Sequence, residues 1–250
     1  MSRQPFDLNL TSLDTLAVLI YGPYGCGKTH LQGDFLRWAA KKGGAVAFLN
    51  IRGEDGMSSL GAMGLGKVGY TADTMEEYES LLGDLRNLHL AALAVDSLPA
   101  VYELALIQKY QTLRYPDPKR EGDAARAHWG QLSMSVKNAI LLSRQAAPLV
   151  FWVSAWDQSD DDVGGGKGIT PNLPGKLAQE VAGRFDFVGY LKAEALVASV
   201  QRTVSFAPNS RYLVRQRIAR SINHAIAIPE NTGGWEAIFT AMTHALKGTG

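Results

Sequence analysis

A single cysteine among 250 residues rules out an internal disulfide and with it a stapled secreted scaffold, and it points to a reducing, cytoplasmic compartment. Long apolar runs are missing as well. The longest nearly apolar stretch, Ala146 to Trp156, falls far short of the roughly 20 residues that span a bilayer. Met1 to Asp7 contain no apolar core of signal-peptide length, so no membrane partner is expected. Charge of one sign is also lacking: 25 Lys and Arg stand against 24 Asp and Glu, a formal net charge of +1. Binding to a polyanion would therefore rest on local patches, not on the field of the whole molecule. No internal repeat or long low-complexity linker interrupts the chain. A mixture of 46% apolar and 20% charged residues is globular and excludes a disordered chain. What the chain has in excess is glycine, 26 residues or about 10%, against a usual ~7%.

Four short runs rich in β-formers punctuate the first 155 residues: Leu16–Tyr21, Ala45–Ile51, Leu90–Asp96 and Leu149–Ser154. None alternates apolar with polar, so each is expected to be a strand buried on both faces of a helix-covered parallel sheet. Helical spacing fills the gaps. Lys28–Lys42 carries Leu31, Phe35, Leu36 and Ala39 at helical intervals and stops at Gly43-Gly44. Thr74–His89 opens with the capping box Thr74-x-x-Glu77, and Pro99–Gln111 and Asp123–Ala147 read as two further helices. This alternation predicts an α/β fold with a mostly parallel central sheet flanked by helices. Further on, Pro174–Arg184 predicts a short helix and Phe185–Leu191 another strand. Leu196–Phe206 and Tyr212–Ile218, separated by Pro208-Asn209-Ser210, predict a C-terminal β-hairpin. A final amphipathic helix is expected over 233–247, presenting Trp235, Ile238, Phe239, Met242 and Leu246 to one side. The linker-like stretch 157–173 is expected to be a mobile loop within a single domain covering 1–250.

Gly22-Pro23-Tyr24-Gly25-Cys26-Gly27-Lys28-Thr29 matches G-x-x-x-x-G-K followed by Ser or Thr in full, directly after a predicted strand and before a predicted helix. Glycines let the backbone curl so that successive N–H groups converge on a phosphate, and the helix N-terminus adds its positive end. Lys28 would reach the β- and γ-phosphate oxygens, and the Thr29 hydroxyl would ligate Mg²⁺. Cys26 is either a small filler or, so near a helix N-terminus, an oxidation-sensitive thiol. A second string, Gly61-Ala62-Met63-Gly64-Leu65-Gly66-Lys67-Val68, repeats the spacing but lacks the hydroxyl after the lysine and any preceding apolar strand. It is expected to be a flexible loop. Asp96 closes the third apolar run and would hold the Mg²⁺, partly through water; an aspartate there can also simply cap the next turn. No Asn-Lys-x-Asp guanine reader occurs, which favours ATP over GTP.

Hydrolysis needs a carboxylate to polarise the attacking water, and Glu54 and its rival Asp55 follow the second strand. A catalytic Glu there, with Asp96-Ser97 in place of an Asp-Glu pair, resembles the RecA-like P-loop ATPases. In particular it resembles the minimal phage-type recombinase ATPases of single-strand annealing, AAA-family phage nucleotide-binding proteins, over a core of roughly 14–220. Trp129-Gly130 and the stretch Pro174–Leu191 fit the same pattern. The resemblance implies an ATPase in the host cytoplasm, self-associating into a ring or filament and acting on single-stranded DNA, with a single-strand-binding protein as a further partner. It also makes Arg215 and Arg217 fingers that reach a neighbouring subunit's γ-phosphate. The rival reading of that pair is an exposed edge strand that discourages aggregation. The family's strand-end sensor histidine is replaced by Ser154-Ala155-Trp156-Asp157-Gln158, so Ser154 or Gln158 would take its place.

DNA would be held by two loops. In Arg114–His128, Arg114, Lys119, Arg120 and Arg126 accompany Tyr115, a mixture suited to backbone contact and base stacking. The second loop, Asp157–Thr170, offers only Lys167 beside Asp160, Asp161 and Asp162. The stretch 201–220 adds five arginines, 202, 211, 215, 217 and 220, and no acid. Two other functions share this core: a ring helicase or helicase-loading motor, and a nucleotide-gated assembly module that does not hydrolyse. If the first glycine string is the phosphate site, Lys28→Ala abolishes nucleotide binding without lowering the melting temperature, because Lys28 is not a core residue. Lys67→Ala leaves binding unchanged; equal losses at both positions would refute the distinction.

Overall fold

The computed structural model describes residue 13 and residues 15–112, 121–160, 167–196, 199–208, 210–217, 222–230 and 233–247. Four strands lie where the apolar runs predict them: Leu16–Tyr21 (β1), Val46–Ile51 (β2), Ala92–Asp96 (β4) and Leu149–Ser154 (β5), with all but their first residues buried throughout. Between β2 and β4 lies Gly69–Ala72 (β3), which lengthens the sheet by pairing with β2. Only one of its four residues is fully buried, so it lacks the apolar signature that marks its neighbours.

The predicted helices are present as Lys28–Lys41 (α1), Met75–Asn87 (α3), Leu98–Thr112 (α4), Glu121–Ala146 (α5), Leu177–Ala182 (α6) and Gly234–Lys247 (α7). A short helix not expected from the sequence, Gly56–Ala62 (α2), follows β2. Thr74 caps α3 as the capping box requires: its hydroxyl accepts from Glu77 N at 3.1 Å, and Glu77 Oε2 accepts from Asp73 N at 2.8 Å. Among the described residues no helix is long and apolar enough to cross a membrane.

Among the described residues nine strands make one sheet, whose parallel part runs β8-β1-β5-β4-β2-β3, where β8 is Phe187–Ala195. Its faces are covered separately. One side packs α3, α4, α5 and α6 through residues such as Tyr78, Leu104, Val136 and Val181. The other packs α1 and α7, with Phe35, Phe151, Trp235 and Met242 at the centre. This is the mixed α/β architecture that the strand–helix alternation predicts.

The C-terminal strands pair differently from expectation. Val200–Ser205 (β9) and Arg215–Gln216 (β10) do not form a hairpin with each other; both run antiparallel to β8, β9 along its second half and β10 along its start. Ala225–Ile228 (β11) then pairs with β9. β8 is already bonded to β1 on one side, so its other edge is the surface that both runs satisfy. The stretch 157–173 also departs from a plain loop, since Trp156–Asp160 (β6) and Lys167–Pro171 (β7) pair as an antiparallel ribbon. The second glycine string is not a flexible loop either. It ends α2 and forms a one-turn 3-10 helix at Gly66–Val68, with no strand leading into it.

α7 is fixed through Trp235, whose ring lies 4.7 Å from Phe35 and 5.2 Å from Phe151, edge-on or tilted. The Asp34 carboxylate of α1 accepts from Trp235 N at 3.3 Å, a negative charge at the positive end of α7. Trp235→Ala is expected to lower stability by about 3–5 kcal/mol, the usual loss for a buried aromatic, and Tm by roughly 10 °C. Urea and thermal melts check this, and a loss under 1 kcal/mol would show that α7 is only loosely attached.

Candidate nucleotide-binding site

β1 runs straight into the glycine loop. Gly22 N donates to Ser154 O on β5 at 3.2 Å. A side chain at Gly22 would place its Cβ 2.3 Å from the Leu191 carbonyl oxygen, so only glycine lets β1 turn there. Gly27, at φ 98°, occupies the left-handed region as the residue that starts α1. The loop therefore presents its backbone N–H groups and the N-terminus of α1 to one concavity, the arrangement that binds phosphate. Lys28 Nζ donates to Gly22 O at 2.9 Å and Pro23 O at 2.7 Å, so its ammonium spans the mouth of the loop. Tyr24 is 82% exposed, with its ring 5.7 Å from that ammonium. Burial pushes the Cys26 thiol up, outweighing the pull of Lys28. That disfavours the thiolate an oxidation-sensitive cysteine needs and leaves the filler role.

Opposite the loop, Thr29 Oγ1 donates to Asp96 Oδ2 at 2.9 Å. Asp96 is 5% exposed. Burial, and then the Glu54 carboxylate, raise its pKa from 3.8 to about 6, against the opposing influence of Thr29 and Lys28. A buried carboxylate beside a hydroxyl, two hard oxygens short of positive charge, suits Mg²⁺. Thr29 and Asp96 are the residues that would hold it. The Asp96–Ser97 peptide is cis.

The two acids after β2 diverge. Glu54 accepts a hydrogen bond from the Ser97 hydroxyl and faces the same cavity as the loop. Its backbone carbonyl accepts from Asn50 Nδ2 at 3.1 Å. Asp55 instead accepts from the Ser58 hydroxyl on the first turn of α2. The cavity, about 560 Å³, is lined by Lys28, Thr29, Glu54, Asp96, Ser97 and Asn172 among others. A smaller one, about 170 Å³, lies on the other flank of Gly27 against His30, Asp34, Arg202, Pro229 and Glu230. Arg202 of β9 donates to Cys26 O at 3.1 Å, so this arginine braces the loop from the antiparallel edge.

Not every residue singled out from the sequence arrives at the site. Ser154 is fully buried, its hydroxyl donating to Ala155 O at 2.7 Å and accepting from Asn172 N at 3.2 Å. Gln158 is exposed on β6, and neither residue lines the cavity. Arg215 and Arg217 sit back along β8, away from the glycine loop. Their strand is level with Phe187 and Val188, which pair with Val18 and Leu19 in the middle of β1. Arg217 lies 3.6 Å from Asp186 Oδ1 and donates to Gly183 O at 2.7 Å. Within one chain neither arginine approaches the glycine loop. Of the described arginines of 201–220, Arg202 thus sits at the glycine loop and Arg217 at Asp186, on separate surfaces. Arg114, Lys119 and Arg120 lie outside the described residues, as do Asp161, Asp162 and Arg220 and the side chains of Arg126 and Lys167.

Residues that sequence reasoning missed are Asn50, Ser97 as a partner of Glu54, Asn172, and Arg202 as a brace of the loop. Ser97 was legible in principle, since it follows Asp96 directly at the end of an apolar run, and Asn50 was the one polar residue within the second run. Asn172 and Arg202 carry no local signal.

A family model for an AAA domain matches residues 14–218. The chain belongs to the AAA domain family. An AAA-type P-loop domain implies nucleotide binding, and the glycine loop with the Thr29–Asp96 pair is the candidate site for it. No curated protein matches the chain.

In this AAA domain the raised pKa of Asp96 has a sign that can be checked. A carboxyl whose folded pKa lies above its unfolded value destabilises the fold when ionised. That cost is full above about pH 6 and vanishes as the pH falls toward 4. Asp96→Asn should therefore raise the stability of the nucleotide-free protein by about 2–3 kcal/mol at pH 8, and by little at pH 4, while weakening Mg²⁺-dependent nucleotide binding. Denaturant titrations at the two pH values decide it; an equal effect at both would contradict the assignment.

Proposed function

We propose that this AAA domain, as one domain spanning residues 1–250, hydrolyses ATP and acts on single-stranded DNA in recombination or annealing, within a phage-encoded system and as a self-assembled oligomer. One observation supports hydrolysis most strongly. Glu54, held by the Ser97 hydroxyl and by Asn50, shares one cavity with Lys28, Thr29 and Asp96. Lys28 and the loop N–H groups orient the phosphates, and Thr29 and Asp96 would hold a Mg²⁺ ion, which would supply positive charge against the phosphates. Glu54 accepts the proton of the attacking water, and Ser97 fixes which carboxylate oxygen faces it. Asp55, engaged with α2, is not the base. The smaller cavity beside Gly27 and Arg202 is the place for the nucleoside end, on the far flank of the loop from Glu54.

Single-stranded DNA as the substrate is supported by the basic and aromatic residues Arg114, Tyr115, Lys119 and Arg120, and by the resemblance to annealing ATPases. Arg215 and Arg217 serve a neighbouring subunit only if Arg217 leaves Asp186 on assembly.

Steady-state ATPase assays with and without single-stranded DNA test this reading. Stimulation by DNA, sequence-tolerant and weakening steeply with salt, is the expected result. Glu54→Gln keeps ATP affinity within a few-fold and slows turnover by roughly 10²–10⁴, whereas Asp55→Asn turns over at nearly the parent rate. Tight ATP binding with no turnover in the parent protein would favour a nucleotide-gated assembly module instead.

A further inference from the structure

We infer that Arg144, Arg184, Arg215 and Arg217, gathered around Asp186, form a surface that binds the phosphate backbone of single-stranded DNA. The inference rests on the reading of DNA as the substrate and gives it a surface remote from the nucleotide cavity. Asp186 is tied to the start of β1. Its N–H donates to Ala17 O at 2.8 Å, and Ala17 N donates to Asp186 Oδ2 at 2.9 Å. The glycine loop begins five residues further along the chain, roughly 16 Å away at the rise of a strand.

One carboxylate holds two guanidinium groups. Arg144, near the end of α5, places Nη2 3.1 Å from Asp186 Oδ2 and donates from Nη1 to Arg184 O at 2.8 Å. Arg217 places Nη1 3.6 Å from Asp186 Oδ1 and donates from Nη2 to Gly183 O at 2.7 Å. The accepting carbonyls follow the C-terminus of α6, the end of a helix that attracts cations. Arg215 joins them from β10. Its Nη1 lies 3.8 Å from where a Cβ on Gly183 would stand, and its buried Nε has no hydrogen-bond partner among the described residues. The Arg184 side chain is exposed. Glu180, the acid within α6, is taken up by Lys137. Four arginines therefore share one aspartate.

The chemistry suits a phosphodiester strand. A guanidinium carries five N–H donors and keeps its charge at any ordinary pH. Arg144 and Arg217 each turn two nitrogens toward protein acceptors and stay 31% and 47% exposed, so donors remain for a ligand. Asp186 and the carbonyls after α6 already fix both side chains, so little freedom is lost when a phosphate docks. The excess positive charge does the rest, because a nucleic-acid strand releases counterions as arginines replace them. Such contacts read no base edge, which makes binding sequence-tolerant. A protein partner gains most of its affinity from anchors packed into desolvated pockets. Neither cavity described above includes any of the four arginines, which favours the strand over an acidic peptide.

The test follows binding of a labelled oligothymidylate by fluorescence anisotropy, without nucleotide, over roughly 50 to 200 mM salt. It compares the parent protein with Arg184→Gln, with Arg144→Gln and Arg184→Gln combined, and with Arg144→Lys. Each phosphate contact adds about 0.7 to the salt slope on a single strand, so the double variant should flatten the slope by about 1.4. Its affinity at about 0.1 M salt should fall roughly 10- to 30-fold. Arg184→Gln alone, at an exposed position, should flatten the slope by about half as much, which keeps the test decisive if the double variant fails to fold. Arg144→Lys retains the charge and the parent slope. Thermal melts confirm folding, and Mg²⁺-ADP affinity stays at the parent value throughout, because the glycine loop is untouched. Polyglutamate should displace the oligonucleotide no better than simple salt of equal ionic strength. An unchanged slope in the Arg184→Gln and double variants, or efficient displacement by polyglutamate, would overturn the inference while leaving DNA binding by the protein intact. A parent protein that binds no oligonucleotide would instead remove the DNA substrate of the proposed function, and the role of this surface with it.

Discussion

The parallel register of β1, β5, β4 and β2 is the constraint on which the site depends. Tyr21 pairs with Ser154, and Asn50 with Asp96, so four strands end within about a residue of one another along one edge. The phosphate loop leaves β1 at that edge, Asp96 closes β4 there, and Glu54 follows β2 three residues beyond its last member, Ile51. A slip of one residue in any of these pairings would turn the functional side chain to the other face. Burial on both sides of the sheet, against Tyr78 and Val136 on one face and Phe35 and Trp235 on the other, makes such a slip prohibitive.

That same packing makes the site electrostatically costly. Asp96 is buried near Glu54 with its pKa displaced toward 6, so at neutral pH the fold carries a charge it would be more stable without. The neighbouring donors reduce that cost only in part: Thr29 gives one hydrogen bond, and Lys28 is occupied by the loop carbonyls. A divalent cation and an anionic phosphate, were they bound there, would complete the charge balance. Such binding would link ligand affinity and folding stability through a single carboxylate.

The C-terminal third of the chain encloses the site without containing its motifs. β8 offers one free edge, and β9 and β10 divide it between them. β9 brings Arg202 onto the Cys26 carbonyl, while Arg215 on β10 and Arg217 just after it lie back along β8, away from the loop. The β6–β7 ribbon leaves from the end of β5 and returns at Asn172, so the segment between two core elements begins and ends at the phosphate loop's neighbours. Residues far apart in sequence meet here because the sheet order, not the chain order, sets their distances.

Features carried by contiguous residues were determined by the sequence alone. The glycine loop with Lys28 and Thr29, Asp96 at the end of its apolar run, the capping box at Thr74 and the α/β alternation each depend on spacings fixed by covalent geometry within one element. Glu54 was legible only together with its rival Asp55, and the tertiary structure gives the two different partners, Ser97 for Glu54 and Ser58 for Asp55. The strand partners after residue 196, the ribbon within 157–173 and the short edge strand β3 were decided by which sheet edges remained unpaired, a property no local stretch encodes. The same holds for Asn172 and Arg202. Each reaches the site through strand pairing with a distant segment, and backbone hydrogen bonds between strands are nearly indifferent to side-chain identity, so such pairings leave little trace in the residues that make them.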